Sequence, residues 1–208
     1  MKYYCVFDTN VLISYFLNNN KNSSINILID NSLIKEKKII PVLNKDILNE
    51  YLNVLNRDKF DNKVDRKSAI EFISVLNKDS INIETEKDYV TFLDKEQKCR
   101  MTDTKDFVFY NIVLEAKDAI SNEDSYLVTG NKKHFPMECF IKSPKEMLDL
   151  INEREKFENS VRKSIVHEES DIEWARKILK EVQETKDDNS LNIEDNRDKS
   201  INEHDGRD

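Results

Sequence analysis

The stretch YYCVFDTNVLISYF, Tyr3 to Phe16, changes its period in the middle. Tyr3–Phe7 is a short aromatic and β-branched run, the composition of a strand. Beyond it the apolar residues fall at Val11, Leu12, Tyr15 and Phe16, the spacing of one helix face. A strand that passes at once into a helix opens an α/β unit, and Asp8 stands at the junction. Position alone leaves two readings for that aspartate. It caps the helix, a role aspartate fills well, or it belongs to a site at the carboxyl end of the strand, where open α/β sheets bind ligands.

The alternation continues outward from that unit. Ser24 opens a second helical pattern with Ile25, Ile27, Leu28 and Ile29, and KIIPVL (Lys38–Leu43) reads as a second strand. Lys45–Arg57 carries the apolar stripe Ile47, Tyr51, Val54 and Leu55, and Arg66–Leu76 is a further helix. Ile81–Ile83 has the character of an edge strand. Asp106–Lys117 is a strong helix, Ser125–Thr129 a strand ending at Gly130, and Cys139–Ile141 a last strand. Ser143-Pro144 offers a cap followed by a first-turn proline, starting a helix through Met147, Leu148, Ile151 and Arg154. Strands alternating with helices predict a parallel sheet covered on both faces.

Composition removes several chemistries. The 208 residues include only two glycines, Gly130 and Gly206, so neither a phosphate-cradling glycine loop nor a dinucleotide fingerprint is present. His134, His167 and His204 are too far apart for a two-histidine zinc motif. Cys5, Cys99 and Cys139 are odd in number and widely spaced, which argues for reduced thiols and against a disulfide framework. The first apolar run is broken by Asp8, too short for a signal core or a membrane span. A soluble, cytoplasmic protein with no membrane partner is expected.

The charge of −8 is unevenly spread. Residues 1–150 are close to neutral, whereas 187–208 hold eight acids, three bases and few large apolar groups. That last segment is predicted to be a disordered tail, since it cannot bury enough surface to offset its chain entropy. Residues 1–150 are therefore expected to form one α/β domain, residues 151–186 a helical extension, and 187–208 the acidic tail. In the extension, Ser170-Asp171-Ile172-Glu173 has a capping-box pattern, and Ile172, Ala175, Ile178, Leu179 and Val182 make an apolar stripe. The stripe either packs back on the domain, joins a second copy or meets a partner.

Four acids sit where acids are unusual. Besides Asp8, Glu50 lies three residues after Ile47 and four before Val54, on the apolar stripe of its helix. It either reaches back to solvent or takes a partner: an arginine or lysine, or a metal, because an unpaired buried carboxylate costs several kcal/mol. Asp103 and Asp106 bracket the start of the strong helix, a spacing that suits both plain capping and an inward site. Asn131 follows Gly130 at another strand end, as an ordinary turn or a polar rim. Taken together, acids at carboxyl strand ends without neighbouring histidine suggest an all-oxygen site for a hard cation such as Mg²⁺ or Mn²⁺.

Four segments in this order resemble those of PIN domains: VFDTNVLIS (Val6 to Ser14), ILNEYLNVL (Ile47 to Leu55), DTKDFVFYNIVLEA (Asp103 to Ala116) and SYLVTGNKKHFP (Ser125 to Pro136). The resemblance spans about residues 1–150 and is strongest to the bacterial subfamily of toxins from toxin–antitoxin pairs. It implies a three-layer α/β/α sandwich with a parallel sheet, a C-terminal helical part outside the family core, and a Mg²⁺- or Mn²⁺-dependent ribonuclease. By the same resemblance Asp8, Glu50 and Asp106 match the metal-binding acids, with Asp103 beside them. Asn10 and Thr129 match small polar positions that orient a carboxylate or a water.

It further implies an RNA substrate and an antitoxin protein as partners, and Lys132, Lys133 and His134 stand where RNA phosphates would be contacted. One residue departs from the pattern. Many relatives carry aspartate where this chain has Asn131, and the amide removes one negative charge from the site. Two other readings remain: a PIN fold that binds a protein partner but cleaves weakly, and an aspartyl-phosphate phosphohydrolase. The second needs an acid two residues after Asp8, and Asn10 occupies that position.

Overall fold

The computed structural model describes residues 1–85, 87–101 and 103–201, with backbone only for Cys99, residues 166–171 and residues 181–201. Two compact units divide the chain, residues 1–152 and 153–208. The first is a doubly wound α/β domain.

Its elements follow the period changes in the sequence. β1 (Tyr3–Phe7) leads into α1 (Thr9–Leu17), then α2 (Ser24–Ile27), whose axis continues as a π-helical stretch over Leu28–Lys35. β2 (Ile39–Leu43) is followed by α3 (Lys45–Leu55), α4 (Arg66–Lys78) and the two-residue edge strand β3 (Ile81–Asn82). A short 3₁₀ turn (Tyr89–Phe92), α5 (Lys95–Arg100) and α6 (Asp106–Ala119) lead to β4 (Ser125–Val128), and β5 (Ile141–Lys142) precedes α7 (Pro144–Ile201). The π-helical stretch and the segment around Tyr89–Arg100 carry too little period for sequence patterning to reveal.

Short polar side chains set the helix starts. Asp8, Ser23, Asn44 and Asp65 each accept a backbone N–H from the first turn of the helix they precede, satisfying donors that have no partner within the helix. Ser143 and Glu146 form a reciprocal capping box at the start of α7: Ser143 N–H donates to Glu146 Oε2 at 2.7 Å and Glu146 N–H to Ser143 Oγ at 3.2 Å. The capping pattern at Ser170–Glu173 starts nothing, because α7 runs through it without interruption. No proline or glycine lies between Pro144 and Gly206, so no local breaker ends the helix. For the same reason the backbone is helical as far as Ile201, across part of the segment expected to be a disordered tail; residues 202–208 lie outside the described residues.

The five strands are all parallel, in the order β3-β2-β1-β4-β5, with helices on both faces in a three-layer α/β/α arrangement. Burial on both faces explains why β1 and β4 do not alternate and are apolar nearly throughout, Ser125 being their one small polar residue. Cys5, Val6, Phe7, Val42, Leu43, Leu127 and Val128 are fully enclosed, together with Leu12, Ile47 and Leu55 from α1 and α3 and with Ile112 and Val113 from α6. Each such side chain contributes roughly 1.5–3 kcal/mol relative to exposure.

Strand order matters for function. From β1 the chain winds outward to β2 and β3, then returns to place β4 on the other side of β1. The connections therefore leave β1 and β4 in opposite directions and open a crevice at their carboxyl ends, the topological switch point where ligands bind in open α/β sheets. Tyr51 of α3 fixes the floor of that crevice: it is buried, lies against Phe109 of α6, and donates its hydroxyl to the carbonyl of Phe7. Tyr51→Phe is expected to lower stability by about 1 kcal/mol through loss of this bond, read as a lower midpoint in urea with an unchanged m-value.

Candidate active site at the β1–β4 crevice

Asp8 is the first residue after β1 and Thr129 the first after β4, and hydrogen bonds join them. Thr129 Oγ1 donates to Asp8 Oδ2 at 2.7 Å, while Asn10 reaches the same carboxylate with its backbone N–H at 3.2 Å and with its side-chain amide. The other end of the Asn10 amide accepts the N–H of Gly130 at 2.8 Å. Asp8 N–H in turn donates to the carbonyl of Val128 at 2.9 Å. Both sequence readings of Asp8 therefore hold at once: it caps α1 and it sits in the crevice. Its residue is only 6% exposed. Burial raises its pKa above the ordinary carboxylate value, and the bonds from Thr129 and Asn10 oppose that rise.

Gly130 is required by close approach. A Cβ built there would lie 2.9 Å from Asn10 Oδ1, inside contact distance and on an atom already held by a hydrogen bond.

Asp106 begins α6. The turn before it is closed by Asp103, whose carbonyl accepts Asp106 N–H at 3.0 Å and whose carboxylate accepts Lys105 N–H at 3.0 Å. Lys105 is the N-cap residue and makes no side-chain cap, so Asp103, two residues before it, braces the entering turn without capping α6. Burial, then the charges of Asp8 and Asp103, push the Asp106 carboxyl up to about 6. The three aspartates are thus electrostatic neighbours. Oδ2 of Asp106 is buried and has no hydrogen-bond partner, which is costly for a carboxylate oxygen.

His134 corrects an expectation. The sequence reading has no histidine beside the acids, but the 3₁₀ turn Lys132–His134 brings this ring next to Asp106. Its Nδ1 stands 3.5 Å from Asp106 Oδ2, too far for a formed hydrogen bond, and its Nε2 lies 2.9 Å from the Asn131 amide nitrogen. With that amide donating, Nε2 is the acceptor and a neutral ring carries its proton on Nδ1, facing Asp106. Asn131 also donates its backbone N–H to Thr129 Oγ1 at 3.0 Å. The residue that departs from the family pattern is therefore tied into the rim.

Glu50 is joined to none of these groups by a described contact. Its side chain, 18% exposed, has Oε1 3.7 Å from Arg57, which lies just past the end of α3. Of the partners open to it in sequence, the arginine is the one observed. The next residue, Tyr51, is the part of α3 that faces Asp8, whose charge helps to raise the tyrosine pKa after burial. Nothing in the sequence separated Tyr51 from an ordinary core position. Lys132 is also engaged: Nζ lies 2.9 Å from both carboxylate oxygens of Glu146. The Ser143 N–H and Lys132 together lower Glu146 to about 2. Lys133 is exposed.

Among the described residues, no three histidine, cysteine, aspartate or glutamate side chains close on one point as a finished metal cage. The donor chemistry nevertheless fits a hard divalent cation. Asp8, Asp106 and Asp103 offer oxygen only, and Asp106 Oδ2 is a buried acceptor with no formed hydrogen bond, His134 Nδ1 standing 3.5 Å away. Like charges without a counter-ion repel, which keeps such a cluster open.

An apolar parallel sheet with an acidic crevice at its switch point defines the class of protein. The chain belongs to the PIN domain family, whose model matches residues 4–133. That match includes Asp8, Glu50, Asp103 and Asp106 and ends just before His134. PIN domains are generally nucleases and typically use divalent metal ions. No curated protein is significantly similar to the chain.

The raised Asp106 carboxyl makes a signed prediction for the metal-free protein. The fold holds a proton that the unfolded chain releases above about pH 4, so this group's contribution to stability falls as pH rises from about 4 to about 6 and is level beyond. Asp106→Asn in chelator should therefore raise stability at pH 7.5 by on the order of 1–2 kcal/mol after allowing for solvent screening, read as a higher melting point. The gain should fade towards pH 4; equal gains at both pH values in thermal melts would contradict the assignment.

Proposed function

We propose that this protein is a metal-dependent endoribonuclease that hydrolyses RNA phosphodiester bonds in the β1–β4 crevice. The observation that carries the reading is the pair Asp8 and Asp106, neighbouring carboxylates at the switch point, with one buried Asp106 oxygen to which no hydrogen bond is formed and which has only the His134 ring 3.5 Å away. Asp8 and Asp106 would hold the ion, with Asp103 at the rim; Glu50 joins them only by leaving Arg57. An all-oxygen donor set suits Mg²⁺ or Mn²⁺. When bound, such an ion polarises the phosphoryl group and makes a water acidic enough to attack.

The chain's own residues set the geometry. Thr129 and Asn10 donate to the Asp8 carboxylate and so oppose the rise in its pKa that burial causes. Asn131 and His134 form the crevice wall beside Asp106. Lys133 is placed to meet a backbone phosphate without first breaking an ion pair, whereas Lys132 must release Glu146 to do so. Phosphate contacts of this kind position a substrate without reading its sequence.

The finer assignment, a cytoplasmic toxin component of a bacterial toxin–antitoxin pair with an antitoxin protein as partner, rests on the four-segment resemblance. No described helix is long and apolar enough to cross a membrane. A second reading, a protein-binding module with weak catalysis, draws support from Asn131 and from the Glu50–Arg57 pair, since both withhold negative charge from the site.

Purified protein should cleave RNA with Mg²⁺ or Mn²⁺ and lose activity in excess chelator. Asp8→Asn should cut the rate by at least about a hundredfold, the loss of several kcal/mol of ion-dependent stabilisation, while circular dichroism stays unchanged. Cleavage that persists in chelator or in the variant sinks the mechanism. Absence of cleavage together with no calorimetric metal binding selects the binding-module reading. Expression in a bacterial host should arrest growth, and Asp8→Asn should relieve the arrest, if the toxin assignment is right.

A further inference from the structure

The His134 ring is a nitrogen donor set beside oxygen donors. Its Nδ1 faces Asp106 Oδ2 across 3.5 Å, and that buried oxygen forms no hydrogen bond. From the other side the ring is held: Nε2 lies 2.9 Å from the Asn131 amide, and the His134 backbone N–H donates to the Asn131 carbonyl at 3.1 Å. Asn131 is anchored in turn by its own N–H on Thr129 Oγ1, the hydroxyl that donates to Asp8. One network therefore orients both the ring and the Asp8 carboxylate. The ring is also near enough to both acids that positive charge on it lowers the pKa of Asp8 and of Asp106. A charge-assisted bond between His134 and Asp106 would close to about 2.8 Å. The gap left here is instead close to the one a cation sets between two of its ligands. With bonds of about 2.1 Å, neighbouring ligands stand about 3.0 Å apart at right angles and about 3.4 Å apart in a tetrahedron.

We propose that His134 Nδ1 is a ligand of the cation held by Asp106 and Asp8, and that the site therefore prefers Mn²⁺ to Mg²⁺. The inference rests on the reading of the crevice as a cation site and names the cation that its donors select. Mg²⁺ takes oxygen donors and gives up water reluctantly, so an imidazole adds little to its binding. First-row transition ions accept imidazole more readily, and Mn²⁺, the weakest binder of that series, is the strictest test. Ligation needs the Nδ1 lone pair, so the ring proton must sit on Nε2. A half-turn of the Asn131 amide then brings its carbonyl oxygen to Nε2 as acceptor, just as metal-bound histidines commonly donate their second N–H. The amide makes that exchange with no change of charge. Asn131 thus supports a ligand and is more than a lost acid.

Calorimetric titration of the metal-free protein with manganese and with magnesium chloride tests the preference, and pulsed electron paramagnetic resonance of the Mn²⁺-loaded protein tests the ligand. The wild type should bind Mn²⁺ at least about tenfold more tightly than Mg²⁺ and show nitrogen modulation from a bound imidazole. His134→Ala, at a side chain 43% exposed, should keep the wild-type circular dichroism, lose the nitrogen signal and lose about tenfold or more in Mn²⁺ affinity. Its Mg²⁺ affinity should change by less than about twofold. Lys133→Ala, the neighbouring position, should bind both ions as the wild type does. Mn²⁺ bound without nitrogen modulation overturns the inference and leaves the all-oxygen site standing. Modulation that survives in His134→Ala also overturns it, since another nitrogen would be the ligand. Binding of neither ion overturns this inference and the metal-dependent reading together.

Discussion

The hydrogen bond from Thr129 to Asp8 joins the carboxyl ends of two neighbouring strands, and the candidate site depends on that joint. A carboxylate as enclosed as Asp8 would lose its charge without donors, since burial disfavours the ionised form. Here a hydroxyl from the end of β4, a backbone N–H from the first turn of α1 and the Asn10 amide supply them. Asn10 extends the joint by holding Gly130 with its other end. The same few atoms therefore cap a helix, couple β1 to β4, and favour the ionised form of a carboxylate at the mouth of the crevice.

The surrounding electrostatics are unfavourable to the fold and suited to an ion. Asp106 is raised by burial and by two like charges, and one of its oxygens has no formed hydrogen bond, only the His134 ring 3.5 Å away. A structure selected for stability alone would pair that oxygen. Departures of this kind from local consistency gather at functional sites. Elsewhere the chain pairs its acids in ordinary ways: Lys132 with Glu146, Lys37 with Asp79 and Arg57 with Glu50. Most of these are exposed pairs of small energetic weight. Their effect is on availability, because each basic side chain so engaged must be released before it can meet a phosphate.

Most of the fold was legible because the chain changes period sharply. Tyr3–Phe7, Ile39–Leu43 and Ser125–Val128 are apolar but for Ser125, as suits strands buried on both faces, and the stripe Ile47, Tyr51, Val54, Leu55 is the buried face of α3. The π-helical stretch was not legible, since the apolar residues of Leu28–Lys35 fit an ordinary helix as well. Nor was the length of α7. The poverty of apolar groups after residue 187 speaks to burial, whereas helix continuation depends on backbone propensity and on the absence of proline and glycine. The Ser170–Glu173 pattern misled for a related reason: a capping box acts only where the chain enters a helix from outside.

The sequence alone determined which residues carry the chemistry's raw material: acids at Asp8, Asp103 and Asp106, small polar groups at Asn10 and Thr129, and no glycine loop or zinc motif to compete with them. It did so because strand ends and helix starts are local features. Tertiary structure decided which of these groups meet. Thr129 and Asp8 are 121 positions apart in the chain and become partners only because the strand order sets β4 beside β1. His134 turns towards Asp106, and Glu50 towards Arg57, for reasons that lie in the path of a turn and the phase of a helix against its neighbours. Those choices depend on packing between distant segments, which no local period encodes.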